Sequence, residues 1–106
     1  MSHNWNSDSF KAKIFKALAD PVRLQIIQFL RGGERCVCEI VPQVGTIQPL
    51  VSRHLKILKD CGLVRDRKEG NRRLYSVVDV EIFKVIEAVN PKLIESLSKQ
   101  VINQII

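Results

Sequence analysis

The chain has 106 residues, a net charge of +6 and a sequence pI of about 9.6. This length fits one domain, residues 1–106, with a small core, and 45% hydrophobic with 26% charged residues excludes a disordered or membrane-embedded chain. Residues 1–6 contain neither a basic start nor an apolar run, so a secretory signal is not expected and we predict a cytoplasmic protein.

Two helices are predicted before the first glycine pair. Apolar residues recur at helical spacing over Ser9–Ala19, while lysines occupy the other side. Asp20 and Pro21 then open a second helix, because aspartate is a good cap and proline fits the first turn. The pair Gly32-Gly33 ends that helix.

Two further helices and a hairpin follow. The third helix is predicted over Cys36–Val44 and the fourth over Gln48–Cys61, joined by a short connection that begins at Gly45. The runs Leu63–Arg67 and Arg72–Val77 are typical of two strands, and the Gly70-Asn71 pair between them tolerates the positive φ of a tight turn.

The C-terminal segment, 79–106, is predicted to be helical from Asp79, with a break or restart at Asn90-Pro91. Its last part has apolar residues three or four positions apart, close to the seam of a coiled coil. By periodicity alone, this seam is as consistent with packing against its own domain as with packing against a second subunit. The small core favours a homodimer interface shared with the first helix. The seam consists of Ile94, Leu97, Val101 and Ile105.

The order of elements is four helices, a hairpin and a helical C-terminus. A mainly α chain of this order is typical of a winged helix-turn-helix, in which the second helix of a pair enters the DNA major groove and the hairpin lies along the backbone. From Arg53 to Arg73 there are eight basic and three acidic residues, so the positive charge is concentrated where that fold contacts DNA. A solvated basic surface would be the alternative for the charge run alone.

The fourth helix and the hairpin therefore supply the candidate contacts with double-stranded DNA. Gln48, Ser52 and Arg53 are the predicted base readers, since they are polar and lie near the start of the helix. His54 is assigned a supporting role. The predicted phosphate contacts are Lys56, Arg67, Lys68, Arg72 and Arg73.

Five stretches between roughly Ala17 and Asp79 carry a family resemblance. They are Asp20–Leu24, Gln48–Leu58, Gly62–Val64, Arg67–Asn71 and Leu74-Tyr75. Together, and in this order, they resemble the ArsR/SmtB family of winged-helix repressors. The resemblance implies a homodimer built from the first and last helices, a palindromic operator, and release of that operator when a metal or metalloid binds.

Cys36 and Cys38 are similar to the thiol motif that opens the third helix in the arsenic, cadmium and lead sensors of this family. The resemblance implies arsenite or a soft divalent metal such as Cd(II), Pb(II) or Zn(II) as inducer. Residues two apart point about 200° apart on a regular helix, so both sulfurs reach one ion only if the first turn is irregular. The arsenic motif has a third cysteine where Val41 stands. Cadmium-type relatives draw further thiols from the N-terminal arm, but residues 1–35 contain none, so His3 or a water would have to substitute.

Other interpretations of the cysteines stay open. In the cytoplasm all three are expected to be free thiols, metal ligands or packing residues before they are disulfides, and Cys61 is expected to be a half-buried residue at a helix end. Cys36 and Cys38 also fit a redox switch, or no sensing at all. A winged-helix module that binds other proteins is the alternative to a DNA-binding regulator. No set of acid, base and nucleophile is recognisable, so an enzyme is not expected.

Overall fold

The computed structural model describes residues 7–105, which form six α-helices and three short strands. Within that range no helix has the length and apolar character needed to cross a bilayer. The predicted mainly α architecture with a β-hairpin is confirmed. In chain order the elements are α1 (Ser7–Leu18), α2 (Pro21–Phe29), β1 (Arg35–Cys36), α3 (Val37–Val44), α4 (Gln48–Asp60), β2 (Val64–Glu69), β3 (Arg72–Val77), α5 (Glu81–Glu87) and α6 (Pro91–Ile105).

The predicted start of α2 is confirmed in detail. The side-chain oxygen Oδ1 of Asp20 accepts hydrogen bonds from the backbone N–H groups of Val22 at 2.8 Å and Arg23 at 3.1 Å, and Pro21 occupies the first turn. The helix ends earlier than expected, at Phe29, because a 3₁₀ turn over Leu30–Gly32 precedes the glycine pair.

The core lies where α2, α3 and α4 meet. These helices each contribute fully buried aliphatic side chains, and α5 adds Ile82 and Phe83. Because such a core fixes the relative positions of the helices, it also fixes the α3–α4 pair that resembles a helix-turn-helix. The largest fully buried side chains are Ile26, Ile27, Leu30, Ile40, Val51, Leu55 and Leu58.

The three strands form one antiparallel sheet in the order β1-β3-β2. The predicted hairpin is present, with β2 extended to Glu69, so that the turn is confined to Gly70-Asn71 and Gly70 has a φ of +60°. Strand β1 was not predicted. Its two residues pair with β3, with Cys36 opposite Leu74. The hairpin of β2 and β3, Val64–Val77, is called the wing below.

The C-terminus divides at Asn90, whose side-chain oxygen accepts from the backbone N–H of Leu93 at 2.9 Å and so caps α6. Helix α6 buries none of its residues against the rest of the protomer. The seam from Ile94 to Ile105 is 53–80% exposed, so the interpretation in which it packs on its own domain is wrong. The helical spacing after Asp79 predicts that Val89 faces inward, but Val89 is exposed as well.

Candidate nucleic-acid interface

Helices α3 and α4 form the pair expected to contact DNA. Gly45 ends α3 with a φ of +71°, a left-handed conformation that costs glycine little, and α4 begins three residues later. Helix α4 presents Val51, Leu55 and Leu58 to the core, all fully buried. The opposite side of α4 therefore stays on the surface of the protein.

The three predicted base readers lie in the first two turns of α4. Ser52 and Arg53 are on that outer side, whereas Gln48 is in line with Val51 and Leu55 but is exposed as the first residue of the helix. All three are exposed, and none of their side chains makes a hydrogen bond or an ion pair with another residue in the range 7–105. Pro49 occupies the first turn without disrupting the helix. Polar side chains without partners at a helix N-terminus are available for a base edge or a phosphate.

His54 faces the opposite direction, toward α2. Its Nδ1 atom lies 3.1 Å from the guanidinium of Arg23, whose Nε donates to the carbonyl oxygen of Ala17 at 2.6 Å. With an arginine donating to Nδ1, the proton of a neutral imidazole is on Nε2. Asp20, 4.0 Å from the ring, has its pKa lowered mainly by the backbone N–H of Arg23. His54 therefore joins α4 to the start of α2.

The hairpin is held against α4 by one carboxylate. Asp66 has a side chain only 8% exposed, with one oxygen 2.8 Å from Nζ of Lys59 and the other 2.9 Å from a guanidinium nitrogen of Arg73. The hydrogen bond from Lys59 is the main cause that lowers the pKa of Asp66. Tyr75, which the sequence favours as a packing residue at the base of the hairpin, is buried there, and burial raises its pKa.

Two more wing arginines are paired with carboxylates outside the hairpin. Arg67 donates to both oxygens of Glu34, at 2.8 and 2.7 Å, and also lies 2.9 Å from Glu69. These hydrogen bonds raise the pKa of Arg67, and the Arg67 side chain lowers that of Glu34. Arg72 lies 3.6 Å from Glu39 of α3.

Of the remaining predicted phosphate contacts, Lys56 forms an exposed pair with Asp60 at 3.0 Å. Lys68 is exposed and has no partner within the described part of the chain. The wing is therefore less positive than its sequence implies, because most of its cations face a carboxylate. Sequence reasoning missed these carboxylates, since Glu34 and Glu39 lie about thirty positions before the arginines they contact.

The structure corrects the expectation that the cysteines are free thiols, metal ligands or packing residues before they are disulfides, because Cys36 and Cys38 are joined by a disulfide. Helix α3 begins one residue later than predicted, which makes Cys36 its N-cap with an extended backbone. Its sulfur accepts from the N–H of Cys38 at 2.9 Å, while Oε1 of Glu39 accepts from the N–H of Cys36 at 3.0 Å. Two residues of one regular helix at this spacing would point their sulfurs apart. Because only Cys38 is inside the helix, this argument against both sulfurs binding one ion no longer applies.

A complete metal site is not formed by the residues from 7 to 105, where no three His, Cys, Asp or Glu side chains gather as ligands. The pair offers two sulfurs, and His3, the predicted substitute for a third cysteine, lies outside the described residues. Cys61 is half-buried at the end of α4, as expected, and its sulfur donates to the carbonyl oxygen of Leu58 at 3.3 Å.

Comparison with known proteins adds an independent line of support. The model of the arsR family of bacterial regulatory proteins matches residues 20–66. An uncharacterized HTH-type transcriptional regulator of Methanocaldococcus jannaschii is 44% identical over 74% of this chain and 90% of its own length. A probable mercury resistance operon repressor of Streptomyces lividans is 45% identical over 71% of this chain, which spans 60% of that protein.

Among solved structures, the homodimeric winged helix-turn-helix DNA-binding domain of a possible ArsR-family regulator from Mycobacterium bovis has a TM-score of 0.73 and 31% identity. The match covers 93% of this chain and 95% of that domain. Fold and surface together define a winged helix-turn-helix DNA-binding regulator of transcription. The chain belongs to the ArsR family.

Proposed function

We propose that the protein is a homodimeric repressor that reads its operator with the start of α4 and is released by chemistry at Cys36 and Cys38. The observation that carries this proposal is the outer side of α4, where exposed polar side chains have no partner among residues 7–105. In this proposal Gln48, Ser52 and Arg53 contact base edges. His54 keeps α4 against α2 and so supports them.

The cations of α4 and the wing are proposed to hold the DNA backbone. Lys68 is free to do so, whereas Arg67, Arg72 and Arg73 must exchange a carboxylate for a phosphate. Lys56 has only the exposed Asp60 as a partner. These contacts give affinity that falls steeply with salt and depends little on sequence.

A second copy of the chain is the proposed partner of α6. An apolar helix face that is more than half exposed along its length is unfavourable in water, and burial in a dimer removes it from solvent. The related M. bovis domain is described as homodimeric. A dimer would place two α4 helices on one face, which suits a palindromic operator whose half-sites lie about one helical turn, roughly 35 Å, apart.

A thiophilic inducer is proposed for the cysteine pair. The two sulfurs are adjacent and open α3, which packs against α4, so a ligand bound there would strain the cap of α3 beside the DNA-reading helix. Soft ions and arsenite prefer thiolates, so this inducer would bind the reduced pair, after a thiol reductant has supplied the two electrons and two protons that open the disulfide. Because two sulfurs are an incomplete set, a further donor such as His3, a water or a partner residue has to complete it.

A redox signal is the second candidate, and the disulfide between Cys36 and Cys38 is the observation that favours it. In that case the two thiols lose two protons and two electrons to an oxidant such as hydrogen peroxide, which is reduced to two waters. The same cap of α3 would change when the bond forms or opens.

Operator binding of the reduced protein, followed by fluorescence anisotropy, separates the candidates. Arsenite, Hg(II), Cd(II) and peroxide are titrated in turn, with a Cys36→Ser/Cys38→Ser variant and a Cys61→Ser control. We expect release from the parent and the control by a thiophilic ion, and none from the double variant. Release by peroxide alone would support the redox candidate. Equal release from the double variant would refute control at this pair.

A further inference from the structure

The two carboxylates that pair with wing arginines lie on either side of Cys36. Glu34 precedes β1, and Glu39 belongs to the first turn of α3. Strand β1 pairs with β3 through Arg35 and Tyr75 and through Cys36 and Leu74, so this short segment runs along the wing. Both carboxylates therefore face the hairpin because of the sheet register.

The contact with Arg67 occupies the groups that an arginine offers to a phosphate. Glu34 takes the Nε and one terminal nitrogen of Arg67, which is the bidentate geometry that a phosphate would use. Glu39 lies 3.6 Å from a terminal nitrogen of Arg72, which is a charge pair and not a hydrogen bond. Arg67 therefore cannot make the same hydrogen bonds to DNA while Glu34 holds it, and Glu39 offsets the charge of Arg72.

We propose that Glu34 and Glu39 form a carboxylate clamp that holds Arg67 and Arg72 away from DNA phosphates and so lowers the affinity of the wing. The proposal rests on the proposed phosphate-binding role of the wing. The clamp is weak enough to be displaced, because all four side chains are between one-third and about one-half exposed and surface ion pairs contribute little.

The Asp66 carboxylate differs from the clamp in kind. Its side chain is only 8% exposed and is shared by Lys59 and Arg73, so it fixes the hairpin to α4. The clamp residues instead have side chains 33% and 40% exposed and can release their arginines while the hairpin stays in position.

A Glu34→Gln/Glu39→Gln variant tests the clamp without removing the cap of α3. Glutamine at the position of Glu39 still accepts from the backbone N–H of Cys36, because a capping box works with either residue. The matched control is Glu81→Gln/Glu95→Gln, which loses the same charge from two exposed carboxylates paired with lysines on their own helices.

The readout is the affinity for a duplex of arbitrary sequence between 50 and 200 mM salt. Each phosphate contact contributes about −0.9 to the slope of log affinity against log salt. Releasing two arginines should steepen the slope by up to about two per protomer, or about four per dimer, which would make the dimer's loss of affinity over this range roughly a hundredfold larger. The control variant should keep the parental slope.

A slope equal to that of the control would overturn the clamp, since the carboxylates would then have no effect on DNA binding. A slope shallower than that of the parent would also overturn it, since the carboxylates would then position the arginines for DNA. The Arg67→Ala/Arg72→Ala pair, added to the Glu34→Gln/Glu39→Gln variant, separates this from failure of the proposed function. The combined variant should have a shallower slope than the Glu34→Gln/Glu39→Gln variant. An unchanged slope there would refute the phosphate-binding role of these arginines itself.

Discussion

The ammonium group of Lys59 in the last turn of α4 lies 2.8 Å from a carboxylate oxygen of Asp66 in strand β2. Arg73, on the neighbouring strand, binds the other oxygen of the same carboxylate. One side chain with 8% exposure thus joins the helix proposed to read bases to the hairpin proposed to hold the backbone. The two elements proposed to contact DNA should therefore move together.

Replacing Asp66 by asparagine should destabilise the protein, because Lys59 and Arg73 would lose a shared partner that is almost buried. We expect a loss of about 1–2 kcal/mol in the free energy of unfolding, measured by urea denaturation. Asp60→Asn is the control, since Asp60 pairs with Lys56 on the exposed side of α4 and should matter little. Equal effects of the two substitutions would contradict the anchoring role of Asp66.

The same carboxylate should make stability depend on pH. The pKa of Asp66 is lowered in the folded protein, mainly by Lys59, so folding favours its charged form. Its contribution is fully present above the unfolded pKa of about 3.9 and is lost as the pH falls through the lower folded value. The difference in unfolding free energy between parent and Asp66→Asn should therefore shrink below about pH 4. A difference that is constant from pH 6 to pH 2 would contradict this assignment.

These contacts mark the limit of what the sequence predicts. Short-range patterns in the sequence predict the helices and the hairpin. The Asp20-Pro21 start of α2 and the Gly70-Asn71 turn both follow from neighbouring residues. The pairing of Arg67 with Glu34 depends on how β1 adds to the sheet, which two residues of strand cannot reveal. Sequence could locate the positive charge but not the carboxylates that offset it.

The cysteine pair illustrates the same limit at one position. If Cys36 were inside α3, its sulfur would point away from that of Cys38. As the N-cap residue, Cys36 has an extended backbone, and its sulfur is bonded to that of Cys38. The spacing of Cys36 and Glu39 is that of a capping box, a pattern usually recognised with serine or threonine at the first position. This spacing is visible in the sequence and could have indicated that the helix begins one residue later, at Val37.

The exposed seam of α6 should control the oligomeric state. Leu97→Asp puts a charge on the apolar face and should shift the protein toward monomer in sedimentation velocity, because burying an unpaired carboxylate is costly. Ser96→Asp is the control, since position 96 lies on the other side of the same helix. A Leu97→Asp protein that sediments like the control would refute the proposed dimer interface.

Helix α4 is proposed to select the DNA sequence, while the wing binds the backbone of any sequence. We would measure the affinity of Arg53→Ala and Lys68→Ala for an operator selected from random duplexes and for a scrambled duplex. Arg53→Ala should lose about 1–3 kcal/mol of discrimination between the two duplexes. Lys68→Ala should weaken binding to both alike and reduce the salt slope by about one per protomer. Equal weakening of both duplexes by Arg53→Ala, or binding unchanged by it, would contradict the proposed role of α4.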